Sequence, residues 1–234
     1  MCQIQYNFLD EKLQAGTEGI MYAASKKLAV MVMEPLRGGS LANRLPKEAM
    51  QIYDTAAVKR SPAEWGLRWV WNHPEVTVVL SGMNEECQVA QNIKTAETAL
   101  PNSMKPEELT VIKNVAAAYR KLLKVSCTGC QYCMPCPNGV NIPRNFQAYN
   151  DVYISGDEQQ ARGIYAMFLM GGLTGVRADA ALCKECGTCM VRCPQQINIP
   201  EKLKEVAKDL GGPKAEVALA AFRANMAKQQ PKKP

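Results

Sequence analysis

The chain has 234 residues, 47% hydrophobic and 6% aromatic, with a formal net charge of +6. That length allows one large domain or two ordinary ones, each with a real core, and no apolar run reaches the roughly 18 residues of a membrane span. Residues Met1 to Tyr6 carry neither a basic segment nor a long apolar one, so no secretory leader is expected and the cytoplasm is the expected location.

Gln3 to Asn7 alternates polar and apolar residues, the pattern of a strand. Helical periodicity follows through Gly19 to Lys27, and Leu28 to Met33 is a short continuous apolar run of the kind buried parallel strands use. Glu34-Pro-Leu-Arg-Gly-Gly39 is a Gly-rich turn. Ser61-Pro62 is a helix start, with a capping Ser and a Pro in the first turn, and this helix stops near His73-Pro74. Val76 to Leu80 is a second β-branched strand candidate, and Ser81-Gly82 turns into a helix ending near Thr98. Strand–helix alternation with crossovers of about 30 residues predicts a parallel sheet with helices outside. His73, in a helix-to-strand turn, is expected to be structural.

Pro101, Asn102 and Pro106 mark residues 101–106 as a linker, so a first domain is expected over 1–100 and a second over 101–234. A helix starting at Pro106 carries Leu109, Ile112, Val115, Ala116 and Tyr119 at helical spacing. A basic stretch at 226–234 is expected to be an unstructured tail.

Eight of the ten cysteines fall in two runs. The first reads Cys127-Thr-Gly-Cys130-Gln-Tyr-Cys133-Met-Pro-Cys136-Pro137, the second Cys183-Lys-Glu-Cys186-Gly-Thr-Cys189-Met-Val-Arg-Cys193-Pro194. Three cysteines at three-residue steps, closed by a fourth on Cys-Pro, is the bacterial ferredoxin pattern for a [4Fe–4S] cluster; the second run matches it in full and the first is one residue short. In two-cluster ferredoxins the fourth cysteine of each run ligates the other cluster. The expected sets are therefore Cys127, Cys130, Cys133 and Cys193 on one cluster, and Cys183, Cys186, Cys189 and Cys136 on the other. Structural zinc is the alternative reading of paired cysteines, and disulfides a further one that needs an oxidising compartment. Cys2 and Cys87 lack a second ligand nearby and are expected to be ordinary thiols.

Two clusters, each of net charge about −2 with its thiolates, lower the charge from +6 to about +2. No basic face with interleaved aromatics is present, so no nucleic-acid partner is expected. Between the runs lie 46 residues that suit two helices, about 145–154 and 158–170, and not a compact ββ ferredoxin. Asn138-Gly-Val-Asn141-Ile-Pro143 after the first run echoes Gln195-Gln-Ile-Asn198-Ile-Pro200 after the second. Each Asn could cap a helix, which makes the region a duplicated loop-plus-helix unit.

Several stretches resemble the aldo/keto reductase family. Met33 to Gly39 resembles its seventh-strand loop; Ser61 to Val70, with Val78 to Gly82 and Asn92, resembles its seventh helix, eighth strand and eighth helix; Gln3 to Asn7 resembles its sixth strand. With the Cys-rich region, the whole resembles the C-terminal portion of a ferredoxin-fused aldo/keto reductase. The resemblance implies the last part of a (β/α)8 barrel, about strands 6–8, followed by an α-helical two-cluster domain. It also implies NAD(P) contacts: Gln3 at the nicotinamide amide, Leu36, Gly38 and Gly39 under the pyrophosphate, Ser81, Gly82 and Asn92 on the adenosine side. Met33 stands where many members have an aromatic ring, and Gly82 and Gln88 stand where basic residues usually hold a 2′-phosphate.

The family's catalytic Asp, Tyr, Lys and His come from earlier strands, so no catalytic residue is expected in this stretch and carbonyl reduction is not expected of it alone. The implied function is an iron–sulfur oxidoreductase that links NAD(P) redox to two [4Fe–4S] clusters, with a redox partner protein or an N-terminal barrel half as partner. A stand-alone electron-transfer and docking module, or an inactive truncated fragment, are the other readings.

Overall fold

A computed structural model of the chain describes residues 1–229. Its first unit, Met1–Leu122, is built on three parallel strands in the order β1 (Cys2–Gln5), β2 (Val30–Met33) and β3 (Val76–Val79). Gln3 pairs with Met31 and Met31 with Val78; Ile4 pairs with Val32 and Val32 with Val79. Because side chains alternate across a pleated sheet, Ile4 and Val32 share the face that α1 (Gly16–Ser25) and α4 (Pro62–Trp71) cover. Val32 is completely buried there. The opposite face, with Gln3, Met31 and Val78, is open, and Val78 keeps 40% exposure.

The elements begin and end where local chemistry dictates. β1 stops before Asn7 because the Asn7 side-chain oxygen accepts the N–H groups of Leu9 and Asp10 (both 3.0 Å) and turns the chain. Lys27, at φ 55°, ends the first helical segment, and Leu28 is left exposed ahead of β2. Ser61 Oγ accepts the Glu64 N–H at 3.1 Å and Pro62 sits in the first turn, as the sequence predicts. α4 then buries Trp65 and Trp69, with Trp65 stacked on Tyr53 and Trp69 against Tyr6 and His73. Between β2 and α4 run two helices the sequence reading did not name, α2 (Ser40–Asn43) and α3 (Lys47–Thr55).

After β3 come α5 (Glu86–Thr98) and α6 (Pro106–Leu122). The division between units falls at Leu122/Leu123 and not at 100/101. The reason is packing: α6 lies on α3 and α4 and buries Ile112, Val115, Ala116 and Tyr119. Its approach segment is pinned as well, since the N–H groups of Asn102 and Met104 donate to the backbone and side-chain oxygens of Asn72 (both 2.9 Å).

The second unit, from Leu123 onward, is helical among the described residues: α7 (Ile142–Ser155), α8 (Glu158–Phe168), a short 3-10 turn at Ala180–Leu182, α9 (Ile199–Leu210) and α10 (Gly212–Gln229). Val140, Phe146, Tyr165 and Val206 form the fully buried centre of its core. Asn141 caps α7, accepting the Arg144 N–H at 3.3 Å. Asn198, its counterpart in the repeat, instead donates to Glu201 Oε2 at 2.8 Å and caps no backbone group. The tail expected to be unstructured over 226–234 continues α10 as far as Gln229; residues 230–234 lie outside the described residues.

Candidate functional site

The two cysteine runs flank the core of the second unit, and the structure sorts their sulfurs by space, not by sequence. Cys127, Cys130 and Cys133 line one cavity together with Cys193 from the other run; Ile142, Phe146 and Ile199 close its apolar wall. Burial, then the neighbouring thiols of Cys127, Cys130 and Cys193, push the Cys133 thiol up to about 11. Cys189 is raised by burial and by Cys183, Cys136 and Cys186. Cys193 thus neighbours the thiols of the first run, and Cys136 those of the second. Like charges held this close in a partly apolar pocket disfavour one another. Four converging thiolates are the donor set that a [4Fe–4S] core takes, and its cationic irons remove that repulsion. No three acid, histidine or thiol groups among the described residues are disposed to grip a single metal ion.

Hydrogen bonds reach these sulfurs from within the runs and, in one case, across the repeat. The Gly129 N–H donates to Cys127 Sγ at 3.4 Å. Thr188 Oγ1 lies 3.5 Å from Cys186 Sγ and lowers that thiol's pKa. Asn138, two residues after Cys136, donates to Cys186 Sγ at 3.9 Å; Gln195, two residues after Cys193, donates to Thr128 at 3.4 Å. Each run therefore lends the other a cysteine and an amide two residues later. Sequence reading missed Asn138 and Gln195, although their equivalent places in the repeat were the signal.

The first unit holds a cleft of about 630 Å³ at the C-terminal ends of β2 and β3. Leu36, Gly38, Gly39, Ser81, Gly82 and Asn92 all line it. Gln3 does not line it; its amide donates to Met33 Sδ at 3.3 Å, and Met33 does. Arg37, Gly38 and Gly39 are successive left-handed residues (φ 51°, 61° and 82°), which wraps the loop tightly around the cleft. At Gly39 a Cβ would stand 3.6 Å from the Asn43 amide. Asn92 donates to Ser81 Oγ at 3.2 Å and fixes the opposite wall. Glu34, which sequence reading left as a turn residue, has a buried Oε2 with no hydrogen-bond partner among the described residues. A cleft of this volume with a few convergent polar groups is the size of a small-molecule site.

His73 has an aromatic setting, its ring 4.8 Å from Trp69 and 5.3 Å from Tyr6. Burial lowers its pKa from 6.5. Cys2 is half-buried and Cys87 exposed, both in the first unit. No helix among the described residues is long and apolar enough to cross a membrane.

Two family models match the chain: "Aldo/keto reductase family" over residues 1–107 and "4Fe-4S dicluster domain" over residues 126–198. The first match spans the strands and the cleft, the second both cysteine runs. Searches among curated proteins and among solved structures found no match.

Proposed function

We propose, from the match of residues 1–107 to the aldo/keto reductase family model and of residues 126–198 to the 4Fe-4S dicluster domain model, that the chain is an iron–sulfur oxidoreductase and that it couples NAD(P) redox to one-electron traffic through two [4Fe–4S] clusters. In this reading Cys127, Cys130, Cys133 and Cys193 hold one cluster and Cys183, Cys186, Cys189 and Cys136 the other. Leu36, Gly38, Gly39, Ser81, Gly82 and Asn92 hold the nucleotide. When bound, the clusters supply one-electron steps and the nicotinamide a two-electron hydride step.

The observation that carries the reading is the meeting of Cys193 with Cys127, Cys130 and Cys133 in one cavity, because runs spaced by threes and closed by Cys-Pro share their fourth cysteine in this way in two-cluster ferredoxins. The chain's own groups do the tuning. Gly129, Asn138 and Thr188 aim donors at thiolate sulfurs, and such bonds stabilise the more negative, reduced state. Ile142, Phe146 and Ile199 give the first set an apolar wall on one side, while Cys130 stays exposed.

The open sheet face with Gln3, Met31 and Val78 supports a partner. We read the strands as about the sixth to eighth of a barrel whose remaining strands, on this chain or a separate one, cover that face. The reading sets the protein in a reducing cytoplasm, where thiolates stay available for clusters.

Protein purified without oxygen should contain about eight iron and about eight acid-labile sulfide per chain, and show a low-temperature EPR signal after dithionite. Colourless protein carrying zinc in place of iron overturns the reading.

A further inference from the structure

The two thiol sets are built from a repeat, so residues in equivalent places can be compared one by one. Cys127, Cys130 and Cys133 correspond to Cys183, Cys186 and Cys189. Just before the third cysteine of its run, Thr188 brings a hydroxyl 3.5 Å from Cys186 Sγ. Tyr132 holds that place in the first run, and it is 62% exposed. Asn138, two residues after Cys136, donates its amide to the same Cys186 Sγ at 3.9 Å. Gln195, two residues after Cys193, spends its amide nitrogen on Thr128 Oγ1 at 3.4 Å, and its Oε1 is buried without a hydrogen-bond partner among the described residues. At both places the second set gains a donor to sulfur where the first has an exposed ring or an amide turned to another partner.

The charges within the runs lean the same way. Cys127 to Cys136 holds no lysine, arginine, aspartate or glutamate, whereas Cys183 to Cys193 holds Lys184, Glu185 and Arg192. Lys204 Nζ meets Glu185 Oε2 at 2.7 Å and offsets that one carboxylate. Lys184 and Arg192 are exposed, so water and salt screen them. The two hydrogen bonds to Cys186 are therefore the larger effect.

A [4Fe–4S] core with four thiolates goes from a net charge of about −2 to about −3 when it accepts an electron. A donor aimed at a thiolate sulfur stabilises the more negative state, and so raises the potential of the site. We propose that Thr188 and Asn138 make the site of Cys183, Cys186, Cys189 and Cys136 the first to be reduced, so that an electron delivered to the other site passes on to it. This inference rests on reading both thiol sets as [4Fe–4S] sites. One electron leaves the first site as one enters the second, so charge balances within the chain and no proton is required. Thr188 and Asn138 act through Cys186 and are positioning residues.

Redox titration of the full chain, purified without oxygen and followed by EPR, reads the potentials without turnover. Two steps at least about 59 mV apart are expected, a tenfold preference of one electron for the second site. Thr188→Val and Asn138→Ala should each lower the higher step and leave the lower one, with iron held at about eight per chain. Thr188→Ser keeps the hydroxyl and should hold the higher step in place. Tyr132→Thr, which gives the first run a hydroxyl in the equivalent place, should raise the lower step. Asn138→Ala carries the test alone if Thr188→Val loses iron. Coincident steps in the unaltered chain, a fall of the lower step in Thr188→Val or Asn138→Ala, or steps that no variant moves, overturn the order of reduction while leaving both clusters in place. An unaltered chain that binds zinc, or no metal, removes the cluster reading and the order with it.

Discussion

Asn150 is the clamp that seats the first cysteine run on the helical core, and its removal should loosen that run. It lies on α7, 7% exposed. Its Oδ1 accepts the N–H groups of Lys124 and Val125 (both 3.0 Å), and its Nδ2 donates to the Val125 carbonyl at 2.8 Å. Val125 is buried and stands two residues before Cys127, so these bonds set where the first thiolate starts. Asn150→Ala deletes three hydrogen bonds and leaves buried backbone groups without partners. At about 1 kcal/mol net for each bond, the cost is about 3 kcal/mol, a large share of a domain's stability. Asn150→Asp keeps the acceptor but sets a negative oxygen against the Val125 carbonyl, so it should recover only part of the loss. Urea denaturation under anaerobic conditions, read by circular dichroism, gives the free energy; iron release to a chelator in buffer gives the looseness of the loop. A loss below about 1 kcal/mol in the alanine variant, with unchanged iron release, would refute the clamp.

Other consequences follow from single contacts. Burial lowers the His73 pKa from 6.5, so the unfolded chain binds the proton more readily. Stability contributed by neutral His73 is complete above about pH 6.5 and is lost as pH falls below it toward the folded-state value. His73→Gln should flatten that part of the stability–pH curve, checked by urea midpoints at about pH 5 and about pH 7.5. A Cβ on Gly66 would stand 2.7 Å from Leu36 Cδ2 and 3.7 Å from Phe8. Gly66→Val should therefore push Leu36 aside and cost about 1–3 kcal/mol of stability, measured by urea denaturation.

Much of this was legible in the sequence because its signals were local. Ser61 with Pro62 announced α4, and hydroxyl, ring and first turn behave as those residue types do anywhere. The cysteine spacing announced two tightly wrapped loops, since the geometry of such a loop is written in a few residues. The cleft was legible only through resemblance: Leu36 and Gly38 lie far from Asn92 along the chain, and nothing in the spacing says that parallel strands bring them together. What escaped depended on tertiary packing. α3 has no side-chain cap and buries just Ala49 and Tyr53, so its apolar signal is thin. Pro101 and Asn102 look like a linker until Asn72 is found holding both sides of the turn. Asn141 and Asn198 occupy the same place in the repeat, yet Glu201 captures the second side chain. The partnership of Arg37 with Asp10 likewise joins residues 27 positions apart that no local rule connects.

The most direct test sets space against sequence. Cys193→Ala, Cys130→Ala and Cys186→Ala would be prepared without oxygen and compared by iron content and by EPR after dithionite. Cys193 shares its cavity with Cys130 although it lies seven residues from Cys186. Each variant should fall from about eight iron to about four, and the spectrum left in Cys193→Ala should match that of Cys130→Ala. A match to Cys186→Ala, or iron unchanged in all three, contradicts the exchange of ligands between the runs.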